Sequence, residues 1–220
     1  MISNLTTPDA VSIAWSVMFL VGAFLAGGKF RLGQILRYYI FQSLCLVGLM
    51  LSLAEVADWH AYLSAASVLV FRAVLMPGLL MLTANQSGAS GRLLSFVRPA
   101  PSYFVSGVAL LAAVLTGIAI TPHLPQANIM LVVTAFAGIY MGLVMAAIRR
   151  DTYSQVIGFL TFVNGITILA VTTVGGWSIL EELGMFVTVL LAVLLFSLLS
   201  RKLKELYAVE DTGILKELVD

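Results

Sequence analysis

Charge is what this sequence has least of. Asp, Glu, Lys and Arg make up 10% of the 220 residues, against about 25% in a soluble globular protein. So few charges cannot cover a water-facing surface, which excludes a soluble enzyme at the outset. Cysteine is nearly missing. The single Cys45 excludes an intrachain disulfide and any cysteine-based metal or iron–sulfur site in the chain, and its apolar neighbours Leu44, Leu46 and Val47 mark it as a buried core thiol. A net charge of +1 gives nucleic acid nothing to bind. The alternation over about ten residues that marks a membrane barrel strand does not occur. Nor does a Walker loop, a dinucleotide-type glycine pattern, a Ser–His–Asp set or an HExxH motif, so catalysis within the chain is not expected.

What is present is apolar. Hydrophobic residues make up 60% of the chain, and the mean hydropathy is +1.04. Apolar windows fall near Val11–Gly28, Ile35–Ala54, Trp59–Thr83, Ser102–Thr121, Asn128–Ile148, Tyr153–Val174 and Trp177–Ser200. Each approaches the roughly 20 residues that a helix needs to cross a bilayer, and in lipid such windows close their backbone hydrogen bonds as helices. The first window is expected to remain as a span rather than be cleaved, because Asp9 precedes it without Lys or Arg while Lys29 and Arg31 follow it.

Charge placement predicts the topology. Lys29, Arg31 and Arg37 sit at the first connection, Arg92 and Arg98 at the third, Arg149 and Arg150 at the fifth, and Arg201, Lys202, Lys204 and Lys216 after the seventh span. Only Arg72 of the 12 basic residues is left over. The alternate connections, with Glu55, Asp58 and His60, Pro122–Ala127, and Gly175–Gly176, carry no Lys or Arg. The positive-inside rule then gives an all-α integral membrane protein of seven transmembrane helices, N-terminus outside and C-terminus cytoplasmic. Tyr38, Tyr39, Trp59, Tyr62, Tyr103, Tyr153 and Trp177 fall near the expected helix ends, as interfacial aromatics do.

The organisation reads as a three-helix region over 1–84, a cytoplasmic connection rich in Ser, Gly and Pro over 85–101, a four-helix region over 102–200 and a cytoplasmic tail over 201–220. No internal repeat is present, so an inverted-repeat transporter has no support. In the tail, Leu203, Leu206, Ile214, Leu215 and Leu218 predict two short amphipathic helices broken at Asp211–Gly213. Such a tail lies at the headgroups or docks a cytoplasmic partner.

Five residues stand out as candidates for an ion path or for coupling between subunits: Arg72, Pro77, Asn164, Glu181 and Glu182. Arg72 lies 13 residues into the third span, about 20 Å from its outer end, where an ionisable group is expensive and is normally paired or lines a hydrated path. The alternative is snorkelling toward one interface. Pro77 removes a backbone donor and frees the Ala73 carbonyl nearby. Glu181 and Glu182 are the only acids within an expected span. They sit about 12 Å from Arg72 along the helix axis, too far for a direct ion pair. Arg72 is therefore expected to face an inter-helix polar cavity or a partner subunit, with a counter-charge from another subunit or through water, or carbonyls freed at Pro77, as its partners. The two glutamates also suit the first turn of a helix, where the macrodipole favours acids. Asn164, with Thr161 and Thr167, forms a polar stripe between Gly158 and Gly165, which also reads as glue between packed helices. His60 and His123 fall at outer span ends.

These residues resemble a family. Phe71-Arg-Ala-Val-Leu-Met-Pro77, Ile157-Gly-Phe-Leu-Thr-Phe-Val-Asn-Gly165, and Glu182-Leu-Gly184 with the tail after Arg201 look like the E component of hydrogenase 4, a membrane subunit of formate-hydrogenlyase-type, complex-I-like assemblies. The likeness covers nearly the whole chain in span number, order and tail position. It implies that the last three spans are similar to the small K subunit of complex I. It further implies antiporter-like membrane subunits and a cytoplasmic redox arm as partners, with iron–sulfur clusters and a redox metal centre in those partners and no cofactor in this chain. The family pattern has Lys where this chain has Arg72, Glu where it has Val163, and Asp where it has Thr188, while Glu182, Asn164 and Gly165 match. The set of intramembrane acids is thus incomplete. An arginine also holds its proton where a lysine can release one.

Two functional classes follow. One is a non-catalytic membrane subunit of an ion-translocating respiratory oxidoreductase, linking or supporting antiporter-like subunits. The other is a free-standing polytopic transporter or membrane sensor.

Overall fold

The computed structural model describes residues 7–29, 31–54, 59–86, 99–124, 127–149 and 151–174, together with Gly184 and Val187. Among the described residues every regular element is helical and there is no strand. Helix α1 runs over Thr7–Gly27, α2 over Leu32–Leu53 and α3 over Trp59–Val68. A π-helical stretch, Leu69–Leu75, carries α3 into α4, Met76–Gln86. Helix α5 covers Pro99–Ile120 and ends in a 3-10 turn at Thr121–His123, followed by α6, Ile129–Ile148, and α7, Thr152–Val174.

Six of these stretches are long and apolar enough to cross a membrane: Ala10–Gly27, Leu32–Leu53, Trp59–Asn85, Ser102–His123, Ile129–Ile148 and Tyr153–Thr173. They coincide with the first six expected windows to within a few residues. The chain is therefore consistent with a multi-pass membrane protein. The seventh window, apart from Gly184 and Val187, lies outside the described residues, as does the tail. Helix also reaches into both ends of the connection expected at 85–101, through Asn85 and Gln86 in α4 and from Pro99 in α5. The two prolines do not prevent this, because a first helical turn has no use for their missing N–H groups.

Short polar side chains set the helix starts. The Asn128 side chain accepts from the Met130 N–H at 2.9 Å, and Asp151 Oδ2 accepts from the Ser154 N–H at 2.7 Å. Each satisfies a donor that a helix start leaves over. Inside the spans, hydroxyls return to their own helices: Ser43 to the Tyr39 carbonyl, Thr134 to Met130 and Thr172 to Ile168. This removes the desolvation penalty that a lone hydroxyl would bring into lipid.

Helices α6 and α7 meet backbone to backbone. A Cβ placed on Gly158 would lie 2.6 Å from the Ala146 nitrogen, and one on Gly165 2.5 Å from the Ile139 nitrogen. Gly142 abuts Phe162 in the same seam. Small residues let the two axes approach this closely, which is the usual basis of helix association in lipid. On the far side of α6, α5 turns Phe104, Val108, Leu111, Leu115 and Ile118 outward.

The core falls into two apolar clusters. One gathers Leu32, Ile35, Leu36, Tyr39, Met76, Leu80, Ala84, Val156, Ile157 and Leu160 near the α1–α2 end of the bundle. The other gathers Phe19, Cys45, Leu46, Leu49, Ala65, Val68, Leu131, Ile168 and Val171 toward the opposite end. In α2, the third span and α7 alike, the residues between the two clusters include polar ones: Gln42 and Ser43, Arg72, and Thr161, Asn164 and Thr167, all buried. A polar layer thus crosses the bundle at mid-height.

Candidate functional site

The polar layer centres on the third span. Within the π-helical stretch only Arg72 and Ala73 are buried, while Leu69, Val70, Val74 and Leu75 are exposed. The widened turn closes where the Met76 N–H reaches the Phe71 carbonyl five residues back. Pro77, which has no N–H to offer the ladder, comes next. One extra residue in a helical turn shifts the inward stripe, and here it turns the one charged side chain of the span toward the interior.

Arg72 is 4% exposed. Its Nη1 donates to Asn164 Oδ1 and to Thr167 Oγ1 on α7, each at 2.9 Å. The Thr167 hydroxyl passes its own hydrogen to the Val163 carbonyl at 3.0 Å, so its lone pairs are free to accept. Arg72 and Asn164 are therefore brought together, with Thr167 as the third member. Thr161 shares the stripe and donates to the Ile157 carbonyl. Hydrogen bonds from a charged donor contribute about 1.5–3 kcal/mol each. Two of them match the roughly 2.5–3.5 kcal/mol that an arginine costs at the centre of a span on insertion scales. Part of the compensation thus comes from within the chain, from an amide and a hydroxyl oxygen on α7. The guanidinium is buried between helices at mid-height.

The arrangement is suited to holding helices in register and to presenting hydrogen-bond donors. Val163 is buried and apolar. Pro77 is buried one turn beyond Arg72. Glu181, Glu182 and Thr188 lie outside the described residues. Cys45 is buried in the second apolar cluster, as expected. His60 lies against the Trp59 ring, with centroids 3.7 Å apart, and His123 ends the exposed 3-10 turn. Among the described residues no three His, Cys, Asp or Glu side chains gather where they could hold a metal ion.

Two residues escaped the sequence reading. Gln42 sits fully buried in the inward stripe of α2, and its amide has no hydrogen-bond partner among the described residues. The Asn164 Nδ2 is in the same condition. The signal for Gln42 was a lone amide at a position where Ile35, Tyr39, Leu46 and Leu49 face inward. Arg149, placed by charge counting at the fifth connection, is 1% exposed. Its Nη2 donates to the carbonyls of Gly27 at 2.8 Å and Lys29 at 2.6 Å, at the end of α1. Burial pushes its pKa down, and Asp151 pushes it back up. Ser102 Oγ, in the first turn of α5, donates to the same Gly27 carbonyl at 2.7 Å. The end of α1, the start of α5 and the end of α6 therefore converge at one end of the bundle.

No family model matches this chain, and no solved structure matches it. It is 31% identical over 156 residues to the uncharacterized protein Rv0085 of Mycobacterium tuberculosis, an alignment that covers 70% of each chain.

Proposed function

The chain belongs to the family of the mycobacterial protein Rv0085; from the pattern of its own residues we propose that it is a non-catalytic membrane subunit of a complex-I-like, ion-translocating respiratory oxidoreductase of the hydrogenase 4 type. In this reading it has seven spans, with the N-terminus outside and the C-terminus cytoplasmic, in the plasma membrane of a prokaryote. It links or supports antiporter-like subunits, and the iron–sulfur clusters and redox metal centre belong to its partners. The residues that match the pattern of the hydrogenase 4 E component support it, Asn164, Gly165 and Glu182 among them, while Arg72 stands where that pattern has Lys.

One observation carries the reading furthest. The hydrogen bonds from Arg72 to Asn164 and Thr167 span 92 and 95 residues of sequence. They tie the N-terminal three-helix region to the helix pair that resembles two-thirds of a K-type subunit. A mid-membrane joint of this kind suits a subunit that transmits or resists force between neighbours, and its charged member sits in a π-helical turn, a feature frequent at functional sites. The convergence at one end of three helix ends that adjoin the basic connections supports the orientation through the positive-inside rule.

Mild detergent extraction followed by native electrophoresis tests the assignment. A complex of several hundred kilodaltons that carries iron–sulfur proteins is the expected result. A lone 23.6 kDa species would instead favour a free-standing transporter or membrane sensor. A reporter fused after Asp220 is expected to be active only on the cytoplasmic side.

A further inference from the structure

At the basic end of the bundle, away from the polar layer, a groove of about 300 Å³ opens between the start of α2 and the flank of α4, lined by Arg31, Leu32, Gly33, Gln34, Arg37 and Met81. Arg31, Gln34 and Arg37 are exposed, three residues apart along one side of the helix. No hydrogen bond or ion pair joins either guanidinium to another side chain among the described residues, unlike Lys29 nearby, which lies over the Tyr38 ring at 5.6 Å. Nothing approaches within 4 Å of a Cβ built on Gly33, so the missing side chain leaves the notch open. Leu32 and Met81 give it an apolar wall.

Depth decides what fits. Arg37 lies five residues into α2 and Met81 five residues before the end of α4, so both are about 7–8 Å inside their helix ends. In a bilayer that is the boundary between headgroups and hydrocarbon. Two uncommitted guanidiniums above an apolar wall at that level match a molecule with a negative phosphate and an acyl chain beneath it. Basic pockets between membrane helices on the cytoplasmic side bind anionic headgroups in this way, and arginine forks suit phosphate oxygens.

We propose that the Arg31–Gly33–Arg37 groove is a specific site for an anionic phospholipid of the leaflet facing the basic connections, its phosphate held by the two arginines and its acyl chain against Leu32 and Met81. The site requires only that the chain span a membrane and is independent of the oxidoreductase assignment.

The test uses the full-length protein in dodecyl maltoside, titrated separately with phosphatidylglycerol and phosphatidylcholine, with bound lipid counted by native mass spectrometry. Phosphatidylglycerol should bind preferentially. Juxtamembrane basic residues each contribute about 1 kcal/mol of attraction to anionic lipid, or about fivefold in affinity. The Arg31→Gln, Arg37→Gln double variant should therefore lose roughly 25-fold in phosphatidylglycerol affinity with phosphatidylcholine unchanged. Gly33→Leu should lose the preference with every charge retained, and it decides the matter if the arginine variant does not fold. Arg92→Gln with Arg98→Gln, the same charge change elsewhere on the basic side, should keep it. The proposal is overturned if both arginine pairs weaken binding equally, if Gly33→Leu binds phosphatidylglycerol as the wild type does, or if inorganic phosphate displaces the lipid at equal concentration, which would make this a free-phosphate site.

Discussion

Arg149 and Arg72 are both buried, and both donate to oxygens on other helices, yet the two sites are built from different materials. At Arg149 the acceptors are main-chain carbonyls at the end of α1, groups that any helix terminus leaves over. The negative end of the α1 macrodipole favours a cation there as well. At Arg72 the neighbouring backbone is mid-helix, where most carbonyls are committed to their own ladders. The acceptors it reaches on α7 are side chains, Asn164 and Thr167. A helix end thus supplies a site for almost any sequence, whereas mid-span demands three chosen side chains and a widened turn. The first is a general staple, the second a specified contact.

The largest effect is expected at the staple. Arg149→Met strips the donor from two carbonyls, and at about 1–3 kcal/mol for each buried group left unsatisfied the loss is about 3 kcal/mol, read as a lowered unfolding midpoint in detergent. An unchanged midpoint would make the site no more than a surface contact and break the comparison. Asn164→Leu comes next, with a loss of about 1.5–3 kcal/mol because a charged donor loses an acceptor. Combining it with Arg72→Met should recover most of that loss, since removing both partners of a buried polar pair is often close to neutral. A double-mutant cycle measures the coupling, and additive effects would show that the contact is incidental.

Arg72→Met alone is expected to leave membrane insertion intact and to cost about 1–3 kcal/mol of stability, because Asn164 and Thr167 lose a donor, while coupled activity or assembly of the complex falls. Arg72→Lys should be milder on both counts. Full assembly and coupling in the Met variant would reduce Arg72 to packing. Smallest of all is Cys45→Ser, a change inside the second apolar cluster, which should leave the activity of the assembled complex unchanged.

The helices were legible because lipid imposes a blunt rule: about 20 apolar residues and closed backbone hydrogen bonds. Six of the windows needed nothing more. The widened turn at Leu69–Leu75 was not legible, since Pro77 signals a break in the ladder without saying which way the helix gives. Arg72 and Asn164 were each visible as anomalies, but no local pattern links residues in separate spans, and the search for a carboxylate passed over the amide and hydroxyl that meet the guanidinium. The burial of Arg149 was not legible for a related reason. Counting charges assigns a residue to a side of the membrane and says nothing about whether the chain folds over it.

The Gly27 carbonyl, which accepts from both Ser102 and Arg149, has a consequence for how this family can vary in length. The same Arg149 nitrogen, Nη2, also reaches the Lys29 carbonyl, so two oxygens two residues apart must stay in step with one donor group. Only four positions, 28 to 31, separate α1 from α2. A residue inserted or deleted there would slide one acceptor out of reach and disturb the seating of α5 and α6 at once. Homologous chains should therefore be free to exchange residues in this connection while keeping its length fixed.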